Sequence, residues 1–431
     1  MQLSFPLRVL ACSLLLGACG GVAPSEEGGD STPDYDRLFP ADRIIDADLT
    51  ISDADWGTLM ANPLEDIYVP ADLTYDGETL TQIAIRLKGN SSRNSVSMRG
   101  GERYSFKLDL DENVAGQKLF GVDKLNLNNS FGDPTFLRER LATDLYRAFG
   151  VPAPQTAFVR LTRNGEPFGL YVAVEQVEAD FLRANFDDAD GGLYKPERPS
   201  GDLTWSGGAI TDYPGIEIKS DELTTDHTAL LTMLDALNNS ADADLEAAVG
   251  AALDVEGVLR YLAVTAAVVN LDSYTGSGHN YYLYEDRSIG KIAVVAWDTN
   301  EAFGRFTCGL SVQSLIDLRY DQPVCGDPTR KPLVRRLLSV PAWKARYEEL
   351  LGELTAGGFA PAAITSQVET LAALIRADVA ADPTKFFTAA DFETNLTTDL
   401  VRPGPNGSSQ TTLGLTSFTQ RRGSALAAQL P

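Results

Sequence analysis

The dipeptide Asp76-Gly77 stands between two stretches, residues 67–75 and 80–88, in which apolar and polar side chains alternate. A tight turn with positive φ at both central residues favours Asp-Gly, and period-2 alternation buries one face of each flanking segment, so the pattern predicts an antiparallel hairpin. Residues 104–110 alternate in the same way, and a second hairpin is predicted from 158–162 and 170–177 around Asn164-Gly165. Between them Leu137, Leu141, Leu145 and Phe149 recur every four residues. Asp133 is placed to cap this helix, Pro134 suits its first turn and Gly150 its end.

After about residue 178 the period changes from two to that of helices. Helices are expected over 228–237 and over a stretch capped by Asp254, with Val255, Val258, Leu259, Leu262 and Val269 on the buried side. Further helices are expected over 332–338, 342–354 and 363–381, before a looser stretch around Pro403-Gly404-Pro405-Asn406-Gly407. One strand pair, 280–285 and 291–297, interrupts them. The fold class is therefore α+β: a strand-rich part containing one helix, then a helical part carrying one hairpin. Kinase-like folds have this layout, and so do many other α+β proteins.

The first 18 residues read as an export signal. Arg8 supplies the positive region, residues 9–16 an apolar run too short to span a bilayer, and Leu16-Gly17-Ala18-Cys19 a lipoprotein processing site that makes Cys19 the acylated terminus. Gly20 and Gly21 carry no acidic sorting cue, which favours an outer-membrane or cell-surface address. The following Gly-, Pro- and Ser-rich residues cannot bury a core and read as a tether. With 60 acidic residues against 36 basic ones, nucleic acid is excluded as the main partner, and contact with a membrane is expected only through the lipid on Cys19. Cys308 and Cys325 are an even pair in an oxidising compartment and predict one disulfide. Two histidines in the whole chain leave no room for a histidine-rich zinc centre.

The chemistry concentrates in Asn270-Leu271-Asp272-Ser273-Tyr274, in His279-Asn280-Tyr281, and in Trp297-Asp298-Thr299-Asn300-Glu301. Phosphoryl transfer needs one carboxylate near the attacking hydroxyl, with another carboxylate and an amide oxygen to hold magnesium against phosphates; Asp272, Asp298 and Asn280 suit those roles. The same aspartates also suit plain turn and loop caps. Residues 89–93, Gly-Asn-Ser-Ser-Arg, suit either a phosphate cradle or a tight turn. No Walker A sequence and no Gly-x-Ser-x-Gly elbow is present.

Seven segments in order carry a resemblance. They are Arg86-Leu87-Lys88-Gly89-Asn90-Ser91-Ser92, Ser105-Phe106-Lys107-Leu108-Asp109, Leu125-Asn126-Leu127-Asn128-Asn129, Leu137-Arg138-Glu139, Gly169-Leu170-Tyr171-Val172 to Glu175, Leu193-Tyr194-Lys195-Pro196, and the block 272–304. Together they resemble the CotH (spore coat protein H) family of atypical kinases. The resemblance implies a divergent two-lobed kinase-like fold that uses ATP and Mg2+ or Mn2+ to phosphorylate serine or threonine on extracytoplasmic proteins. It implies Asp272 as the catalytic aspartate and Asp298 as the metal-binding one, with Asn280 as second metal ligand. Lys107 is the candidate for the phosphate-facing lysine, with Arg86 and Lys88 as rivals and a solvated surface lysine as the plain alternative. Glu139 pairs with that lysine or forms a surface ion pair with Arg138 or Arg140, and Glu175 lies where a hinge holding adenine would run.

The expected division is a signal over 1–18, a tether over 19–40, a strand-rich lobe over 41–178, a helical lobe with the catalytic hairpin over 179–400 and a C-terminal extension over 401–431. A competing expectation is a non-catalytic surface adhesion or scaffold protein on the same fold, and a remoter one is a metal-dependent hydrolase.

Overall fold

Seven strands, β1 (Ile45–Thr50), β2 (Val69–Tyr75), β3 (Glu78–Lys88), β4 (Ser105–Asp109), β5 (Lys124–Asn128), β6 (Thr156–Arg163) and β7 (Glu166–Glu175), form the first half of the protein. They close into a barrel in the order β1-β2-β3-β4-β5-β7-β6 in a computed structural model that describes residues 32–221, 223–403 and 409–431. The expected signal, Cys19 and the tether up to residue 31 lie outside the described residues. Neighbouring strands are antiparallel except where β1 closes the ring against β6, with Ile45 opposite Val159 in a parallel ladder. Both expected hairpins form. Tyr75 faces Glu78 across Asp76 (φ 50°) and Gly77 (φ 80°), and Arg163 faces Glu166 across Asn164 (φ 53°) and Gly165 (φ 79°).

Alternation divides the strands between two cores. Ile83, Ile85, Leu87, Phe106, Leu108, Leu125, Leu127, Val159 and Tyr171 point inward and fill the barrel. Full burial of each such side chain stabilises the fold by roughly 1.5–3 kcal/mol. Phe158, Leu170, Val172 and Val174 point outward from β6 and β7 and join a second core with the helix Arg138–Ala148 and the elements that follow it. The outward residues of β3 to β5 are instead polar: Arg86, Lys88, Lys107, Asn126 and Asn128. That face lines a cleft rather than a core.

The helix expected from Asp133 onward begins at Arg138. Asp133 is spent on the turn before it: Oδ1 accepts from the Thr135 N–H at 2.9 Å and Oδ2 from the Arg138 N–H at 2.9 Å, while the Arg138 guanidinium closes on Oδ1. Gly150 (φ 76°) ends the helix, as read from the sequence.

The second half builds around a four-stranded sheet, β11-β10-β8-β9, made of β8 (Leu193–Pro196), β9 (Ile216–Ile218), β10 (Tyr281–Asp286) and β11 (Lys291–Ala296). The helix Val255–Val268 is capped as expected, with Asp254 Oδ1 accepting from the Gly257 N–H at 3.2 Å. The helices Pro341–Ala356 and Pro361–Ala381 each start on a proline, whose missing N–H costs nothing in a first turn. Of the stretch expected to be looser, residues 404–408 lie outside the described residues; on either side of it β12 (Leu400–Pro403) pairs with β13 (Ser409–Thr412), and the helix Leu415–Gln429 follows. Leu415, Phe418 and Leu426 of that helix are buried in the second core, and Arg422, fully buried, donates to the carbonyls of Ala266, Ile316 and Leu318. Leu38 and Phe39 are likewise buried, so the N-terminal side of the described chain is packed before β1 begins. Residues 32–431 make one compact unit, and Cys308 and Cys325 form a disulfide with Cα atoms 6.4 Å apart. Among the described residues no helix is long and apolar enough to cross a membrane.

Candidate active site

A cleft of about 900 Å³ opens between the polar outer face of β3 to β5 and the loops at one end of β10 and β11. Eight lysines and arginines against six aspartates and glutamates line it, the reverse of the balance in the whole chain. An acidic protein has thus kept a basic pocket, which suits a polyanion.

The β10–β11 hairpin explains why residues distant in sequence meet. Tyr281 pairs with Ala296, so Asn280, just before β10, and Asp298, just after β11, emerge at the same end. Asn280 Nδ2 donates to Asp272 O at 2.9 Å and to Asp272 Oδ2 at 3.1 Å, tying the catalytic-loop candidate to the hairpin. His279 Nε2 stands 3.5 Å from Asp272 Oδ1. Asn280 (φ 61°) and Asp298 (φ 49°) both hold left-handed backbone, a strain of order 1 kcal/mol or more for side chains with a Cβ. Structure that is strained and still held marks a place where position matters more than stability.

Burial pushes the Asp298 carboxyl up, the Lys88 ammonium opposes that, and the Asp272 carboxylate adds to it. Burial also raises Glu301, against the pull of Arg305, which lies 3.6 Å away. Among the described residues no hydrogen bond reaches the Asp298 carboxylate, and Glu301 Oε2 is buried without one. No group of three or more His, Cys, Asp or Glu side chains among the described residues could hold a metal alone. Two hard carboxylates, an amide oxygen and the Glu301 oxygen, ion-paired with Arg305 but without a hydrogen bond, fit a cation that keeps waters and phosphate oxygens in its shell, as magnesium does.

Facing the aspartates, Lys88 reaches into the cleft with Nζ 3.1 Å from Asn128 Oδ1 and 5.5 Å from the centre of the Trp297 ring. Asn128 Nδ2 in turn donates to both oxygens of Glu139, at 2.8 and 3.0 Å. Burial pulls Lys88 down to about 8, partly offset by Asp298 and Glu139, and burial together with Asp298 pushes Glu139 up to about 7. Glu139 is 5% exposed, so the surface ion pair that sequence left open does not form.

Lys107, the first choice among the basic residues, lines the cleft but is turned to Glu178 at 3.6 Å, and Lys124 holds the same glutamate at 2.9 Å. Arg86, opposite Lys107 in the β3–β4 ladder, pairs with Asp66 at 3.1 Å. Lys88 is the rival that stands with Glu139 and Asp298. Glu175 does not face the cleft: buried, it accepts from Tyr35 Oη at 2.8 Å and from the Gln155 N–H at 2.9 Å, and burial raises it to about 7. The hinge-side residues that do line the cleft are Gln176 and Glu178.

The 89–93 segment turns at Gly89 (φ 94°), where a Cβ would lie 2.4 Å from Ser92 Oγ, and then opens the helix Ser91–Met98. Gly89, Asn90, Ser91 and Ser92 all line the cleft. Sequence reasoning gave no role to Asn128, to Lys195, whose Nζ is 2.7 Å from Glu197, or to Trp297, although all three lie inside segments that carried the resemblance.

A family model described as CotH kinase protein matches residues 85–401, which span the cleft-facing strands, both acidic loops and most of the helical half. The chain belongs to the CotH kinase protein family. Inner spore coat protein H of Bacillus subtilis (strain 168) is 26% identical over 189 residues, covering 43% of this chain and 51% of that protein. The inner spore coat protein H-like protein of the same organism is 25% identical over 251 residues, covering 58% and 66%. Invasin CotH3 of Rhizopus delemar is 23% identical over 353 residues, covering 72% and 56%. The chain thus spans between 51% and 66% of these relatives' lengths. The CotH match begins at Ile85, next to Arg86 and Lys88, and takes in every residue described above as facing Asp298.

Proposed function

We propose that this CotH-family chain is an exported atypical protein kinase that moves the γ-phosphoryl group of ATP to serine or threonine of secreted or surface proteins. In this reading the barrel and its flanking elements (41–178) are the first lobe of a divergent kinase-like fold and 179–400 the second. The observation that carries it is the pairing across one cleft of the Asp272–Asn280–Asp298 cluster with the Lys88–Asn128–Glu139 chain. One carboxylate set suits a metal and a hydroxyl, and one cation, joined through Asn128 to a buried glutamate, suits a phosphate.

The parts divide as follows. Asp298 and Asn280 would hold magnesium or manganese, which when bound supplies charge neutralisation on the phosphate oxygens. Lys88 meets the phosphates, positioned by Asn128 and Glu139. Asp272, oriented by Asn280, accepts the proton of the attacking hydroxyl. Residues 89–92 offer backbone N–H groups at a helix start, and Gln176 and Glu178 border the space for the base. Acylation at Cys19 would tether the enzyme to the cell envelope, in keeping with relatives named for the spore coat and for invasion.

The test is incubation of the chain with labelled ATP and magnesium or manganese, beside Asp272→Ala and Asp298→Ala, with mass spectrometry of the protein and of a basic acceptor. Label on serine or threonine that vanishes in both variants is the expected result. Phosphate release without an acceptor would instead mark a hydrolase. The invasin relatives favour a second reading, adhesion without catalysis, in which neither form binds ATP and partner binding survives Asp298→Ala.

A further inference from the structure

The loop that carries Asp298 is fastened through Cys308 to Cys325, which packs against the turn after Asp272. Cys308 (φ 50°) follows the loop that carries Asp298, and Phe306, just before it, still lines the cleft. That loop is braced by the Phe306 N–H donating to Glu301 O at 3.2 Å and by the Arg305–Glu301 pair. Cys325 lies against the other loop. Its N–H donates to Thr275 O at 3.3 Å, and its Sγ is 3.1 Å from the place a Cβ on Gly276 would take. The same Cβ would meet Leu271 O at 2.0 Å, so the turn after Asp272 is wound too tightly for any residue but glycine there.

Inside that turn the Ser277 N–H donates to Leu271 O and the Gly278 N–H to Ser273 O, both at 2.9 Å, and it ends at Asn280, the residue that orients Asp272. The chain 271–280 is thus a small knot, and the disulfide sits against its Thr275-Gly276 side. Besides the main chain, which reaches the Asp298 loop through the β10–β11 hairpin, that bridge is the covalent link between the knot's neighbour, Cys325, and the Asp298 loop among the described residues.

We propose that the Cys308–Cys325 disulfide is a positioning element for phosphoryl transfer, an inference that rests on the kinase reading above: it holds the Asp272 turn in register with the Asp298 loop. Closing the bridge takes one proton from each thiol and passes two electrons to a disulfide oxidant, which leaves as a dithiol; a dithiol reductant reverses the exchange. A reducing compartment leaves the Asp298 loop without its tie to Cys325, and an oxidising one restores that tie. The enzyme is therefore weak where thiols stay reduced and reaches full rate after the bridge has formed.

The experiment compares the oxidised full chain, the same chain in dithiothreitol, and the Cys308→Ser/Cys325→Ser variant, by phosphate transfer and by amide hydrogen exchange. The expected result is a fall in kcat of about tenfold or more, with KM for ATP held within about threefold. Exchange over residues 270–280 should quicken about tenfold while β2 to β5 stay protected, and reoxidation should restore the wild type alone. Unchanged exchange over 270–280 overturns the inference, as does a kcat within about twofold of the oxidised form. Faster exchange throughout the barrel also overturns it, since the bridge is then a general staple. If the oxidised wild type transfers no phosphate, the kinase reading fails, and the exchange data still decide whether the bridge holds the turn.

Discussion

Lys88 and Glu139 do not touch: Asn128 stands between them, accepting from the lysine at 3.1 Å and donating to both carboxylate oxygens of the glutamate. An amide offers an acceptor to a cation on one atom and a donor to a carboxylate on another. Asn128→Leu keeps the volume and removes both. It should cost roughly 1–3 kcal/mol of stability by stranding the buried Glu139 carboxylate, and weaken metal-dependent ATP binding about tenfold by leaving Lys88 without its amide partner. Lys107→Ala, removing a lysine already committed to Glu178, should change that affinity less than about threefold. Denaturant unfolding and calorimetric titration measure the two effects.

Glu139 predicts a pH dependence of stability. Its folded pKa, about 7, lies above the ordinary glutamate value of 4.5. Between those two values the folded state holds a proton that the unfolded chain has released, so stability contributed here is present below about 4.5 and is lost as pH rises towards 7. Glu139→Gln cannot titrate and should gain on the wild type over that window, by on the order of 1 kcal/mol per pH unit. Unfolding midpoints of both proteins at pH 5, 6 and 7 check it; parallel curves would contradict the assignment.

Asp298→Asn should stabilise the metal-free protein while abolishing metal-dependent nucleotide binding. Burial raises the carboxylate, Lys88 offsets part of that, Asp272 adds to it, and no hydrogen bond among the described residues reaches it, so neutralising it relieves a buried charge and a repulsion at the smaller cost of its attraction to Lys88. A gain of about 1 kcal/mol is expected. A thermal melt without metal, followed by one with ATP and magnesium, separates the two halves of the prediction.

Arg103 and Asp382 form an ion pair of 2.8 Å that is almost wholly buried, joining the start of β4 to the end of the helix Pro361–Ala381. The arginine also donates to Asn129 O and Leu170 O, and the aspartate accepts the Leu170 N–H. Asp382→Ala leaves a buried guanidinium without its counter-charge and should cost about 3–5 kcal/mol. Arg103→Met with Asp382→Leu should cost clearly less than the two single changes added together, which a double-mutant cycle reads directly.

The hairpins were legible because Asp76-Gly77 and Asn164-Gly165 are residues that accept the positive φ their turns require. β1 and β5 were not read as strands. Their outward positions are Asp46 and Asp48, and Asn126 and Asn128, residue types that local propensity assigns to loops and that only a tertiary site recruits into a ladder. The helix Ser91–Met98, polar but for Val96 and Met98, was hidden for the same reason. The grouping of Asp272, Asn280 and Asp298 could be inferred, since one hairpin joins them. The choice between Lys88 and Lys107 could not. Both point outward from neighbouring strands, and which one meets Glu139 depends on the pairing of β5 with β4 and on a helix that starts at Arg138 rather than Pro134. Glu175 misled because the last residue of a strand can turn either way, and here it turns towards Tyr35.

The parallel ladder between β1 and β6 gives the barrel no edge, and it also dictates an order of events. Residues 45–49 can pair with 159–163 only after everything between has been made. Such a long loop makes ring closure a late and slow step. Until then two strand edges lie open to any other extended chain, which is the moment at which copies of the protein can join to each other instead of to themselves. A mutation that loosens β1 would therefore show itself first as lost yield on refolding at high concentration, well before any change in the finished cleft.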